Sequence, residues 1–498
     1  MSESTYSEQH MTEASSLSPR RTGRLAEVSR ADFIGIGGCG MSGLARMLHS
    51  LGIRTSGSDA VASPVTDGLM AMGLPVRIGQ DGSGLPEDLD LLVTSAAIAP
   101  DHPDVLAAEQ CGVEIRTYAE VLGMVQEGRT AVCIAGTHGK STTAAMLCHI
   151  LIRCGFDPGF IIGANCDQIG GGSRTGSDRI PDSGPLGGDP GILVSEACEF
   201  NRSFHRHNPT VGLINNIEED HLDIYGSLDS IIEAFRDFAM KIPPAEDGGS
   251  LLIAHDEAHR QHITPPLDCH VATFGFHPEA DYQVVWDPAV RRTGILRDGH
   301  WTIQWTNPMP GAHNALNAAA AVILAHQLGA EWDDAAEAMA AFEGLDRRTQ
   351  RLGTRSVEDG VVVVYDDYGH HPTEIERTLK ALQTHEQPGR LICVFQPHQH
   401  SRTRFLLEQF AESFDQADEV IVPPIYFVRD SEAEKQRVSA VDLVRRLQDR
   451  GTAARHVDSF EHIVEILERD LVADDLLVIM GAGPVWTVAR DYLDRSEP

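Results

Sequence analysis

From Ala31 onward, short apolar runs alternate with longer stretches whose apolar residues return at helical spacing. DFIGIGG reads as a strand running into a glycine turn, MSGLARMLHSLG as an amphipathic helix, and LDLLVTSAA as the next strand. A second unit opens at Thr130 with AVCIAG and continues into the helical text THGKSTTAAMLCHILIRCG. A third begins with VVVVYDDYG at Val361. It passes through helical TEIERTLKALQTH, extended LICVFQP and helical RFLLEQFAESF, and closes on DLLVIMGAG near Asp475. Apolar strands separated by helices predict parallel sheets covered by helices, the α/β class. NALNAAAAVILAHQLG, starting at Asn314, reads as an Ala-rich helix. Two segments break the pattern. Residues 1–28, rich in Ser, Thr and Glu, predict a disordered leader, and the Gly/Pro/Ser-rich stretch Gly170–Pro190 predicts a mobile surface insertion.

The chain has 498 residues, which at roughly 150 residues per domain corresponds to about three domains. Forty basic against 73 acidic side chains leave a net charge of −33, so no nucleic-acid or membrane-surface partner is expected. No apolar run approaches the roughly 20 residues of a spanning helix. The N-terminal text MSESTYSEQHMTEASSLSPRRTGR lacks the apolar block of a secretory signal. Nine cysteines without CxxC pairs read as reduced thiols, which places the expected location in the cytoplasm.

Two glycine-rich turns carry the first chemistry. GIGGCGMSG sets Gly35, Gly37 and Gly40 on a GxGxxG frame after a strand, where backbone amides at a helix start approach a pyrophosphate. Asp59 follows near the spacing of a ribose-contacting acid. This loop suits a dinucleotide or any nucleoside diphosphate, a UDP-sugar included; the same glycines would also tighten a turn that binds nothing. The second turn, AGTHGKSTT, fits GxxGK[ST] at a strand–helix junction. Its amides would cradle phosphates, Lys140 would neutralise β/γ oxygens and Ser141 would reach Mg²⁺. Ile134 stands where the full motif has its first glycine, so the loop is a shortened version. VSEACEF then places Glu196 at a strand end, and NNIEEDHLDIY places Asp220 and His221 after another; a carboxylate and an imidazole near such a loop suit a phosphate-bridging Mg²⁺. GAHNALN offers His313, Asn314 and Asn317 at a helix start, where an amide could bond adenine or merely cap the helix.

GIGGCGMSGLA, GTHGKSTT, NIEEDHLDIY, GAHNALNAAAA, DDYGHHPTEI and FQPHQHSRT occur in this order, and with them the chain from about Ala31 to its end resembles the Mur ligases of peptidoglycan synthesis. The resemblance implies three domains after the leader. These are a Rossmann-like UDP-sugar-binding domain over residues 29–127, a central P-loop-type ATPase domain over 128–342 and a Rossmann-like C-terminal domain over 343–498 for the incoming amino acid. It implies ATP and Mg²⁺ as cofactors. The implied activity is amide-bond formation between the lactyl carboxylate of UDP-N-acetylmuramate and L-alanine through an acyl phosphate. A ligase that attaches a whole tripeptide to the same sugar shares most of the motifs, and a dinucleotide-dependent oxidoreductase would explain the first loop alone.

By motif, the resemblance assigns Gly37, Gly38, Cys39, Gly40, Met41, Ser42 and Asp59 to the sugar nucleotide. Gly136, Thr137, His138, Gly139, Lys140, Ser141 and Thr142 fall to the ATP phosphates, with Ser141, Glu196 and His221 as metal ligands. His313, Asn314 and Asn317 fall to adenine, Arg348 to a phosphate and Asp366 to ribose. His370, His371 and Arg402 face the acceptor and the acyl phosphate, one of the two histidines serving as base or orienter. Departures from the family text cluster at Cys198–Asn201 (CEFN for DESD), at Thr349 for Phe, and at Gln399 for an arginine; Gln80 and Pro484 also differ.

Overall fold

A computed structural model describes residues 23–95, 98–181, 186–428 and 430–495, and its contacts divide into two compact units at Gly128/Arg129. In the first unit, five parallel strands lie in the order Val76–Ile78, Arg54–Asp59, Arg30–Ile34, Leu91–Thr94, Glu114–Thr117. The first strand in sequence is thus the middle one, and the winding reverses at its carboxyl end, where open α/β sheets place their ligands. That end runs into the glycine turn and the helix Cys39–Ser50. Phe33, Ile34, Leu44 and Leu48 are fully buried beneath it.

Residues 23–28, which the polar composition assigned to a disordered leader, are ordered. Gly23–Glu27 forms a 3₁₀ turn, and Leu25 and Val28 are buried. Two apolar side chains in that polar text suffice to anchor the segment. The rest of the expected leader lies outside the described residues.

The second unit holds two sheets. In the larger, the strands Gly159–Ile161, Ile192–Glu196, Thr130–Ala135, Val211–Ile214, Ser250–Ala254 and His270–Gly275 run parallel in that spatial order. Tyr282–Asp287, Arg292–Arg297 and His300–Thr306 extend it as an antiparallel meander. The all-parallel expectation misses these strands because they bury only one face, so their text alternates with polar residues instead of reading as an apolar run. The Ala-rich helix Ala312–Gln327 packs its small side chains against the helix Lys140–Arg153, both nearly all buried. In the smaller sheet, Gly360–Asp367, Asp475–Met480, Arg390–Phe395, Glu419–Val422 and Ala453–His456 are parallel, with Gln350–Val357 antiparallel at one edge.

The described part of Gly170–Pro190 is fastened to the larger sheet. Ser173–Arg174 pairs with Phe160 and Ile161, Arg129 donates to the Ser177 carbonyl at 2.6 Å, and Ile180 is buried. No helix among the described residues is long and apolar enough to cross a membrane.

Gly57 allows the first sheet to close on its own turn, since a Cβ there would lie 2.6 Å from the Phe33 carbonyl and 2.8 Å from Ile36 Cδ1. Gly57→Ala is expected to destabilise the first unit by about 1–3 kcal/mol, measured as a shift in denaturant midpoint; an unchanged midpoint would show that the strands give way freely.

Candidate functional site

The strand Thr130–Ala135 ends in a turn with Gly136 at φ 143° and Gly139 at φ 82°, a backbone that L side chains avoid. Space forbids a side chain as well, because a Cβ on Gly139 would stand 2.5 Å from Asn317 Oδ1. The helix from Lys140 begins directly after it with Ser141 and Thr142 in its first turn, so the helix dipole favours an anion at the loop. Lys140 Nζ donates to the Gly136 and Thr137 carbonyls at 2.6 and 3.1 Å and to Glu199 Oε2 at 3.0 Å. Burial works against its charge, but Glu199, Cys198 and Glu196 outweigh that and hold the ammonium above its usual range.

The loop forms one wall of a pocket to which His138, Gly139 and Thr142 contribute together with His313, Asn314, Asn317 and Arg348. The residues expected at adenine and at a phosphate therefore meet beside the loop. The two asparagines are already committed, however. Asn314 Nδ2 donates to the Pro310 carbonyl at 2.8 Å; Asn317 accepts from Thr143 Oγ1 at 3.2 Å and donates to Asn314 Oδ1 at 3.3 Å. Asn317 thereby joins its helix to the helix of the phosphate loop. Asn215 Oδ1, in the same wall, is a buried acceptor without a hydrogen-bond partner. His313 is pushed down to about 4 by burial, with Arg377 and His138 adding to the effect.

Asp366, expected at ribose, lies on the other face of its strand from Asp367. It faces Arg347 Nε at 3.3 Å, and burial followed by the neighbouring Asp367 raises it to about 6. Asp367 is the carboxylate in the pocket wall, where it accepts from the Thr349 and Gly369 amides at 2.6 and 2.7 Å. Side chains alternate along a strand, so only one of two adjacent acids can face the pocket. Arg348 sits 4.8 Å from the Tyr368 ring centroid and 3.9 Å from Glu374.

His221 adopts a left-handed backbone at the start of a short turn, with Nε2 3.5 Å from Asp220 Oδ2. Burial, assisted by Arg402 and Lys140, lowers its affinity for a proton and keeps a neutral ligand nitrogen. His221, Asp220 and Glu199 bring ligand atoms within 4.8 Å of one another. Glu196 accepts from the Gly163 amide instead. Glu199 was not singled out by its motif; it arrives because residues 200–206 turn back in a 3₁₀ segment, with Asn201 and Arg202 at positive φ.

The acceptor-side residues are also drawn together. Arg402 is buried and donates to Asp220 Oδ1 through Nε and Nη2 at 3.2 and 3.1 Å, with Nη1 3.4 Å from His398 Nδ1. Although burial opposes it, Arg402 holds the Asp220 carboxyl far below its usual range. The two histidines differ in kind. His371 caps the helix Pro372–Glu386: its Nδ1 accepts from the Thr373 amide, and its Nε2 donates to the Glu219 carbonyl at 3.0 Å. Both ring nitrogens are spent. His370 directs Nδ1 to the Tyr368 carbonyl at 3.1 Å, which makes Nε2 the lone-pair nitrogen, and burial lowers it to about 3.

In the first unit, Gly38 and Cys39 are exposed at the helix start. Asp59 Oδ2 accepts from the Gly37 amide at 2.9 Å and so fixes the turn. Met41 and Ser42, expected at the sugar nucleotide, are buried, and the Ser42 hydroxyl returns to the Cys39 carbonyl at 3.0 Å. The exposed edge of this turn is the Gly38 backbone together with Cys39.

A left-handed glycine turn, a buried lysine and a pocket walled by a second α/β lobe define the class as an α/β enzyme of the P-loop type that binds a nucleotide. Models of the Mur ligase family match three consecutive stretches: its catalytic domain at residues 30–129, its middle domain at 134–325 and its glutamate ligase domain at 347–483. The UDP-N-acetylmuramate–L-alanine ligase of Lachnospira eligens is 37% identical over 93% of this chain and 97% of its own length. The chain belongs to the Mur ligase family, whose members are ATP-dependent. Among solved structures, the UDP-N-acetylmuramate–alanine ligase of Thermotoga maritima superposes with a TM-score of 0.75 at 24% identity, covering 94% of this chain and 98% of that one. A murein peptide ligase of Psychrobacter arcticus gives 0.70 at 23%, covering 94% and 100%. At these identities the two structures speak for the three-domain fold alone.

His138 projects from the loop between two carboxylates, Glu374 Oε1 at 3.2 Å and Glu218 Oε2 at 3.5 Å. Burial disfavours its charge, yet the pair raises it from 6.5 to about 9. A raised histidine contributes stability that is complete below the unfolded value and is lost as pH climbs through the folded one. The melting temperature of the native chain is therefore expected to fall, relative to His138→Gln, between pH 6.5 and 9. Parallel melting curves across that window would show that His138 is uncharged.

Proposed function

We propose that this chain is the ATP-dependent ligase that joins L-alanine to the lactyl carboxylate of UDP-N-acetylmuramate. The observation that carries the reading is the junction of the phosphate loop with Asn317, Arg348 and Asp367 in one pocket, in a chain that aligns almost end to end with ligases of that name. A carboxylate is a poor electrophile, so the γ-phosphoryl group is first transferred to it, and the amine then displaces phosphate from the acyl phosphate.

The residues fit both ATP and a divalent cation. Asn215 Oδ1 offers an unpartnered buried acceptor in the pocket wall, and any side chain at Gly139 would fill the cradle. Glu199, Asp220 and a neutral His221 gather two carboxylates and an imidazole at one point, and the Ser141 hydroxyl and Glu196, which accepts from the Gly163 amide here, would complete the oxygen donors for Mg²⁺. When bound, Mg²⁺ neutralises charge on the phosphate oxygens. Lys140 and Arg348 supply positive charge to the transferring group; Lys140, whose N–H groups go to Gly136, Thr137 and Glu199, exchanges one of these bonds for a phosphate oxygen. At about 3, His370 stays neutral at working pH, so Nε2 accepts a hydrogen bond from the incoming amine and orients it without retaining its proton. Asp220 occupies the Nε and Nη2 edge of Arg402, and Nη1 is the edge presented to the acceptor carboxylate. The exposed turn Gly38–Gly40 offers its amides to the diphosphate of the sugar nucleotide.

The direct test is ADP release from ATP with UDP-N-acetylmuramate, with L-alanine and the tripeptide supplied in parallel. L-Alanine is expected to support turnover; acceptance of the tripeptide alone would overturn the reading. Lys140→Ala is expected to lower turnover at least about 10²-fold with the fold retained, and near-normal ADP release would remove Lys140 from the phosphate site. Arg402→Lys loses the planar fork and is expected to raise the Michaelis constant for L-alanine much more than that for ATP. Equal changes would mean that Arg402 serves the fold.

A further inference from the structure

The side chain of His138 leaves the phosphate loop for the other lobe. It reaches Glu374 in the first turn of the helix Pro372–Glu386 and stands 4.7 Å, ring to ring, from His371 at the cap of that helix. Glu218 completes the link from below. Its amide donates to Thr137 Oγ1 of the loop at 3.0 Å, and its carboxylate faces His138 at 3.5 Å. The same carboxylate accepts from Thr373 Oγ1 and lies 3.5 Å from Arg377, both on the Pro372–Glu386 helix. Asn216 clasps the backbone of His138 in both directions, at 2.7 and 3.2 Å. Two carboxylates from different lobes thus share one imidazole of the loop, and neither was reached by motif reading.

His138, Glu218 and His371 also lie close enough together to suggest a metal site. His371 has no lone pair to give, since Nδ1 accepts from Thr373 and Nε2 donates to Glu219. The group therefore acts as a charge network. Displacing the helix would take Glu374 away from His138 and would take Thr373 and Arg377 away from Glu218, so the loop and the C-terminal lobe favour a single relative placement.

We propose that Glu218 and Glu374 are positioning residues that act through His138 to couple nucleotide binding at the phosphate loop to acceptor binding by the C-terminal lobe. This rests on the reading above, in which the loop takes ATP and the lobe takes L-alanine. Because coupling is reciprocal, it is measurable as the factor by which one ligand tightens the other.

The test is calorimetric titration of β,γ-imido-ATP into the full chain with Mg²⁺ and saturating UDP-N-acetylmuramate, with and without L-alanine. In the native chain L-alanine is expected to tighten the analogue at least about fivefold. In Glu374→Gln, Glu218→Gln and His138→Gln the factor, taken against each variant's own affinity in the absence of L-alanine, is expected to fall below about twofold. His138→Gln combined with Glu374→Gln should lose no more than either alone, as one shared interaction requires. Glu374→Asp keeps the charge and should recover part of the factor; a loss that follows melting temperature and ignores charge would overturn the proposal. A native factor near one, or an unaltered factor in the variants, would also overturn it. Absent ADP release from the native chain with L-alanine would reject the functional reading, whereas normal ADP release with unchanged coupling would reject the link alone.

Discussion

A cation taken out of water needs a counter-charge within reach, and this requirement organises the whole second unit. Leaving a buried charge unpaired costs about 3–5 kcal/mol, more than most single contacts return. Lys140 meets the requirement through Glu199, Arg402 through Asp220, Arg347 through Asp366, and His138 through Glu218 and Glu374. Each pair except Arg347–Asp366 joins segments far apart in the chain. The pairing that permits burial is therefore also what brings the phosphate loop, the Glu218–His221 segment and the C-terminal lobe to one place.

The same economy sets protonation states. His138 lies between two carboxylates that outweigh its burial and is held charged, whereas at His370 and His221 burial outweighs the nearby carboxylates, with Arg402 assisting, and both are held neutral. Identical side chains thus become a fixed positive charge in one position and lone-pair donors in the others. A ligand nitrogen or an amine-orienting nitrogen must be neutral, and the neighbouring Arg402 helps to keep both so. Burial acts in the same direction on all three, and it is overcome only at His138, which has a carboxylate at each ring nitrogen.

The two glycine turns are built differently. In the first unit, Asp59 holds the turn through the Gly37 amide, leaving Gly38 and Cys39 as its exposed edge. In the second, Gly139 brings the chain against Asn317 and places Lys140 at the head of a buried helix. The first turn presents amides at the head of a helix, and the second adds a full charge.

Glycines at strand ends, uniformly apolar strands and an Ala-rich helix determined the α/β class and the positions of both turns, because those signals depend on neighbours in the chain. The family was legible in the same text, in the order of its motifs. The meander over residues 282–306 was not, since strands with one wet face read as ordinary polar sequence. Glu374 was hidden for a related reason: in His371-Pro372-Thr373-Glu374 it reads as a helix cap, which it also is. That it faces His138, that Asp367 and not Asp366 turns toward the pocket, and that His371 is spent while His370 keeps a lone pair were decided only by tertiary structure. Those facts depend on which distant group supplies a counter-charge or a hydrogen bond, and one-dimensional spacing carries no information about that.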